Sequence, residues 1–152
     1  MADATLSGYK IAATALAWTS GQSLDSAAID EWTDLSDEID NSTDKYFFAD
    51  LEIVLGSAAF TGNFSTIEIY LVPSVDGTNF GDWTGNVATE EPENKQYFVG
   101  SVVTSGSTAA QRLIKRNIAL PNGKYKWAFR NKSGVALAAT GNTVKYRPHQ
   151  YA

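Results

Sequence analysis

Apolar and polar side chains alternate in short runs through most of the chain. In "STIEIYLVP" (Ser65 to Pro73), Ile67, Ile69 and Leu71 fall on one face while Glu68 and Tyr70 fall on the other. That period of two is the mark of a half-buried β-strand. "KYFFADLEIVL" (Lys45 to Leu55), "QYFVGSVV" (Gln96 to Val103), "QRLIKRNIAL" (Gln111 to Leu120) and "GKYKWAFR" (Gly123 to Arg130) are further strand candidates. In the last, Tyr125, Trp127 and Phe129 oppose Lys124, Lys126 and Arg130, so Trp127 is read as core. "VALAA" (Val135 to Ala139) and "TVKYR" (Thr143 to Arg147) complete the series. "PNG", "NKSG" and "TGN" separate these runs and suit the positive or fixed φ of tight turns. Short connections favour antiparallel neighbours. The pattern predicts an all-β fold, an antiparallel two-sheet β-sandwich of jelly-roll type, with an up-and-down barrel as the competing arrangement.

The first 44 residues differ. "SLDSAAIDEWTDLSDEIDNSTD" holds eight acids and no base, and its self-repulsion predicts an extended acidic N-terminal arm. Leu24, Ile29, Trp32, Leu35 and Ile39 recur within it, which a disordered tail does not need. Two readings follow: a short helix or edge strand laid over its own sandwich, or an arm that orders against another protein chain. Residues 1–44 are therefore set apart as arm or edge segment and residues 45–152 as sandwich, within one domain. A chain of 152 residues buries enough surface to fold without metal or disulfide staples.

Charge sharpens the picture. All 17 acids precede Gly100 against three bases there, a balance of -14; nine bases and no acid follow, giving +9 and a net of -5. Such polarity closes either within one fold or between neighbouring copies. The N-terminus lacks a basic n-region and the apolar stretch from Ile11 to Trp18 is too short to span a bilayer, so a soluble chain without signal peptide is expected.

Candidate chemistry is sparse. No cysteine is present, which excludes thiol nucleophiles and zinc-thiolate sites. The single histidine, His149, stands near the end in "RPHQYA" and reads as a solvated tail residue. No GxSxG, P-loop, GxGxxG or HExxH occurs, and no enzymatic activity or cofactor is expected. Asp50, Glu52 and Glu68 are carboxylates on the expected strands, a pattern with little specificity for glycoside hydrolysis. In "LVPSVDGTNFGDW" (Leu71 to Trp83), Asp76, Asn79 and Asp82 offer oxygen ligands but miss the calcium-loop spacing, and Asp76-Gly77 reads as a turn. Phe80, Trp83 and Tyr97 leave a glycan platform open. The acidic half argues against nucleic acid.

Two longer blocks carry a family likeness. "SDEIDNSTDKYFFADLEIVLGSAAFTGNFSTIEIYLVPSVDGTNF" (Ser36 to Phe80) and "RLIKRNIALPNGKYKWAFRNKSGVALAATGNTVKYRPHQY" (Arg112 to Tyr151) resemble, in order, segments of small tailed-phage virion proteins of the capsid decoration, or cement, family. Phe47, Phe48 and the loop "GDWTGNVATEEPENKQ" (Gly81 to Gln96) depart from that pattern. The resemblance implies a jelly-roll protein on the outer face of a virion, made in the host cytoplasm. It also implies a homo-trimer that clamps neighbouring major capsid proteins without nucleic acid or membrane. In that role Trp32, Asp34, Asp37 and Glu38 are expected to touch another chain, Arg112, Arg116 and Arg130 to supply positive partners, and Phe80 and Trp83 to pack at a sandwich edge or subunit contact.

Overall fold

A computed structural model describes residues 12–60 and 65–150. Its strands are β1 (Thr14–Ala15), β2 (Ile39–Asp40), β3 (Phe48–Leu55), β4 (Thr66–Pro73), β5 (Phe98–Val103), β6 (Gln111–Ala119), β7 (Lys124–Lys132) and β8 (Thr143–His149). A single helical turn, α1 (Pro92–Lys95), interrupts the connection from β4 to β5. The strands form two four-stranded sheets, β1-β8-β3-β6 and β2-β7-β4-β5, and every neighbouring pair is antiparallel. No helix among the described residues is long and apolar enough to cross a membrane.

The pairing is nested. β4 pairs with β5, β3 with β6, β2 with β7 and β1 with β8, so the chain doubles back about the β4–β5 connection as one long hairpin. Folding that hairpin over adds the remaining contacts, β3 with β8 and β4 with β7. Nesting sets the acidic half against the basic half. Glu52 meets Arg112 at 2.9 Å, Asp50 meets Arg116 at 3.3 Å, and Glu38 meets Lys124 at 2.8 Å. Asp30 pairs with Lys132 and Glu90 with Arg130 in the same sense. At these points the polarity of the sequence closes within one chain. Apart from the pair made by Arg130, whose side chain is buried, these pairs have a partly or well exposed cation and contribute at most about 1 kcal/mol each, so they fix register more than they stabilise.

The inner faces carry the apolar series read from the sequence. Leu51, Ile53 and Leu55 of β3 meet Ile67, Ile69 and Leu71 of β4 and Tyr125, Trp127 and Phe129 of β7. Leu24 and Ala27 complete one end of this core, so the acidic stretch supplies part of it.

Residues 30–40 do not extend into solvent as an acidic arm. They line the outer edge of β7. The Thr33 and Ser36 amides donate to the Phe129 and Trp127 carbonyls, while their hydroxyls accept the Phe129 and Trp127 amides. Self-repulsion is relieved one acid at a time: Asp25 accepts from Asn142, Asp34 from the Gln22 amide, Asp37 from Thr19, and Asp40 from the Ser42 amide. Residues 1–11 of the expected arm lie outside the described residues. "VALAA" is a second correction, since it forms no strand. Leu137 is drawn into the core and its amide donates to Ala27, which bends the segment across the sandwich end. His149 corrects a third expectation: it ends β8, is buried, stacks on Phe48 at 5.8 Å, and lies 3.2 Å from Asp50.

Candidate interaction surface

Because β4 alternates, Tyr70 points outward from the second sheet, opposite Ala128 of β7. An aromatic ring there needs a cover, and residues 81–97 supply one. Trp83, Val87 and Tyr97 close over Tyr70 and Ala128 to make a second small core around Trp32. Trp32 is fully buried, with its ring 4.9 Å from Tyr70 and edge-on to Trp83 at 5.5 Å. Its Nε1 donates to the Thr89 carbonyl, and the Trp83 Nε1 donates to the Thr33 carbonyl. Asn94 of α1, itself buried, exchanges two hydrogen bonds with the Thr84 backbone and pins the cover. Gly85 passes so close to residues 33 and 34 that a methyl group would meet the Thr33 carbonyl at 2.8 Å.

One cation organises this cluster. The Arg130 guanidinium lies 4.4 Å over the Trp32 ring, donates to the Asp30 carbonyl, and meets Glu90 at 2.8 Å. It is buried to 3% exposure, a position that a guanidinium holds only when its donors are satisfied. Hydrogen bonds from Arg130 and then Lys95 draw the Glu90 carboxyl down to about 2. Burial, and then the hydrogen bond it gives Glu68, pushes the Tyr70 hydroxyl far up, so it stays a neutral donor.

A carboxyl depressed in the fold lends stability that is complete above its ordinary value of 4.5 and fades as pH falls toward about 2. The 81–97 cover is therefore expected to loosen in that window, read as a red shift of tryptophan fluorescence. Glu90→Gln should show part of that shift at neutral pH and a flatter acid profile. Identical profiles for the two proteins would remove Glu90 from this role.

The remaining sites separate. Phe80 is half-buried beneath Lys126, whose Nζ lies 4.7 Å from the ring centroid. Asp76 uses its carboxylate on the Thr78 and Asn79 amides and the Asn79 side chain, and these hold its carboxyl well below the usual range. With Gly77 at φ 78°, "DGTN" is a turn. Among the described residues no group of three acidic or histidine side chains is placed to hold a metal ion. Arg112 and Arg116 lie on the outer face of the first sheet, far more exposed than their partners Glu52 and Asp50.

The nine residues singled out from the sequence thus do not share one surface. Trp32, Trp83 and Arg130 come together, with Asp34 at their margin against Gly21 and Gly85. Asp37 and Glu38 follow the β7 edge. Trp32 and Arg130 use their surface inside the chain, which leaves Glu38, Arg112 and Arg116 as the most exposed of the nine.

Several exposed apolar groups were not foreseen from the sequence. Phe47, Phe98, Val103 and Ile114 are each at least half exposed. Ile114 was findable, because it sits between Arg112 and Arg116 at a position where alternation demands a polar side chain. Phe98 borders an open depression of about 370 Å³ that also includes Glu68, Tyr70, Lys95 and Lys132.

No protein-family model matches this chain, and no curated protein or solved structure is similar to it.

Proposed function

We propose that this chain is a non-enzymatic structural protein of a tailed-phage virion, a jelly-roll unit that decorates the outer capsid face as a homo-trimer and clamps neighbouring major capsid proteins. The observation that carries this reading is the nested pairing. Pairs 4·5, 3·6, 2·7 and 1·8, laid out as sheets 1-8-3-6 and 2-7-4-5, match the wrapped hairpin of a jelly roll, the fold that the sequence resemblance implies. A clamp also needs a stiff scaffold with broad faces. The outer face of the first sheet supports that role: Ile114 is 54% exposed and is rimmed by exposed Arg112, Arg116, Lys145 and Arg147. An apolar centre inside a polar rim is the common anatomy of a protein contact.

Antibodies against the purified chain, applied to intact tailed-phage particles from the source of this sequence, are expected to label the outer head surface. Brief exposure to high salt should reduce the label, because contacts through a basic rim are screened. Label confined to tail fibres, or none, would overturn the reading. Glycan binding is the second reading, favoured by the half-exposed Phe98 ring beside Glu68, Lys95 and Lys132. Binding to a glycan array together with unlabelled heads would select it.

A further inference from the structure

A sheet edge presents a row of unpaired amides and carbonyls, and stable monomers guard it with short strands, charges or a covering segment. Three of the four edges among the described residues are guarded. β1 and β2 are two residues long, and the rest of the β7 rim is covered by the segment from Asp30 to Ser36. β6 carries Arg112, Lys115 and Arg116, with the Lys115 stem turned inward over Gly100. β5 is different. Its sequence, "FVGSVV", has no charge and no proline, and no other described segment bonds to its free side. Phe98 is 50% exposed and Val103 63%.

These two side chains share a face. Val103 pairs with Thr66 and Phe98 with Tyr70, and an irregularity between Ile69 and Tyr70 resets the alternation so that both point outward. Because Val99 is the extra residue at that irregularity, a second β5 turned about a two-fold axis through Ser101 sets Gly100 against Val102 and each Phe98 against the other copy's Val103. Each end of the strand is thus the complement of the other. No charge within β5 repels its own image.

We propose that β5 joins two copies of this chain edge to edge, making one continuous sheet from their two second sheets. The apolar pair, formed twice by symmetry, favours a second copy over a foreign strand. This contact is independent of the capsid reading and of any threefold contact, and its test uses the purified chain alone.

The absolute mass of the chain in solution is expected to equal two copies, or six if a threefold contact also forms, and to fall by half in Phe98→Lys/Val103→Lys. Neither position belongs to the main core, but the Phe98 ring packs edge-on to Tyr70 at 5.6 Å, so Val103→Lys alone serves as the variant that leaves both cores untouched. The chain has no cysteine, so Phe98→Cys/Val103→Cys gives a second readout: mild oxidation should yield a covalent dimer. A single-chain mass at every concentration overturns the proposal. So does an oligomer that the lysines leave unchanged, or a cysteine pair that forms no inter-chain bond.

Discussion

Trp32→Ala is expected to lower stability by about 3–5 kcal/mol, the range for removing a large aromatic side chain from a packed site. The indole is fully buried, packs on Tyr70 and Trp83, and donates to Thr89 across the cover. Its loss opens a cavity beneath residues 81–97 and takes away the ring on which Arg130 rests. The guanidinium keeps Glu90 and the Asp30 carbonyl, so the charge does not become orphaned. The damage should therefore centre on the cover. Denaturant unfolding should show an earlier midpoint, and near-ultraviolet circular dichroism should lose aromatic signal before the sheet signal melts. Trp83→Ala removes a half-buried ring and should cost less. A loss under about 1 kcal/mol for Trp32→Ala would mean that the second core does not hold the cover.

The second large effect is expected at Asn131, on the inner side of β7. This side chain is fully buried; its Nδ2 shares hydrogen bonds with the Ala27, Ala28 and Val135 carbonyls, and its Oδ1 accepts from the Ser133 amide and hydroxyl. It ties the acidic segment to the turn after β7. Asn131→Asp keeps the shape and the accepted bonds but sets an oxygen against three carbonyls. The expected loss at neutral pH is at least about 3 kcal/mol, the scale of an uncompensated buried charge. Burial and the facing carbonyls raise the pKa of the new carboxyl in the fold. The deficit should then be smallest near the unfolded value of about 4, grow as pH rises through the folded value, and level off above it. Denaturation at pH 4 and pH 7 compares the two ends. Equal deficits at both would show that the site relaxes around the charge.

Alternation made the long strands legible. β4 and most of β7 could be read from the sequence, including the inward face of Tyr125, Trp127 and Phe129, because a sustained period of two fits a strand and does not fit a helix. β7 runs on through Asn131 and Lys132, which the sequence pattern gives to a turn. β1 and β2 were invisible for the converse reason, since two residues carry no period. For the segment from Asp30 to Ser36 the sequence left an edge segment and an arm both open, because its regularity lies in hydroxyls; the structure places it along the edge of β7. Thr33 and Ser36 stand in for strand donors and acceptors, and their spacing matches neither template. The union of Trp32 with Arg130 was illegible in principle: it depends on which strands meet, and nothing local to either residue states that. Charge polarity was plain in the sequence, but only the nested pairing shows how it is discharged.

That nesting has a consequence for synthesis. Among the described strands the earliest in the chain, β1, pairs with the latest, β8, and β2 pairs with β7. The early strands must wait for the late ones. Residues 1–100 carry a formal charge of -14, and until the basic stretch emerges that repulsion is expected to oppose collapse and self-association. Arrival of Arg112 through Arg147 neutralises it strand by strand and delivers the missing partners in the same step. The acidic half thus acts as its own holding device, and the basic strands act as the closing signal that turns an expanded chain into a sandwich.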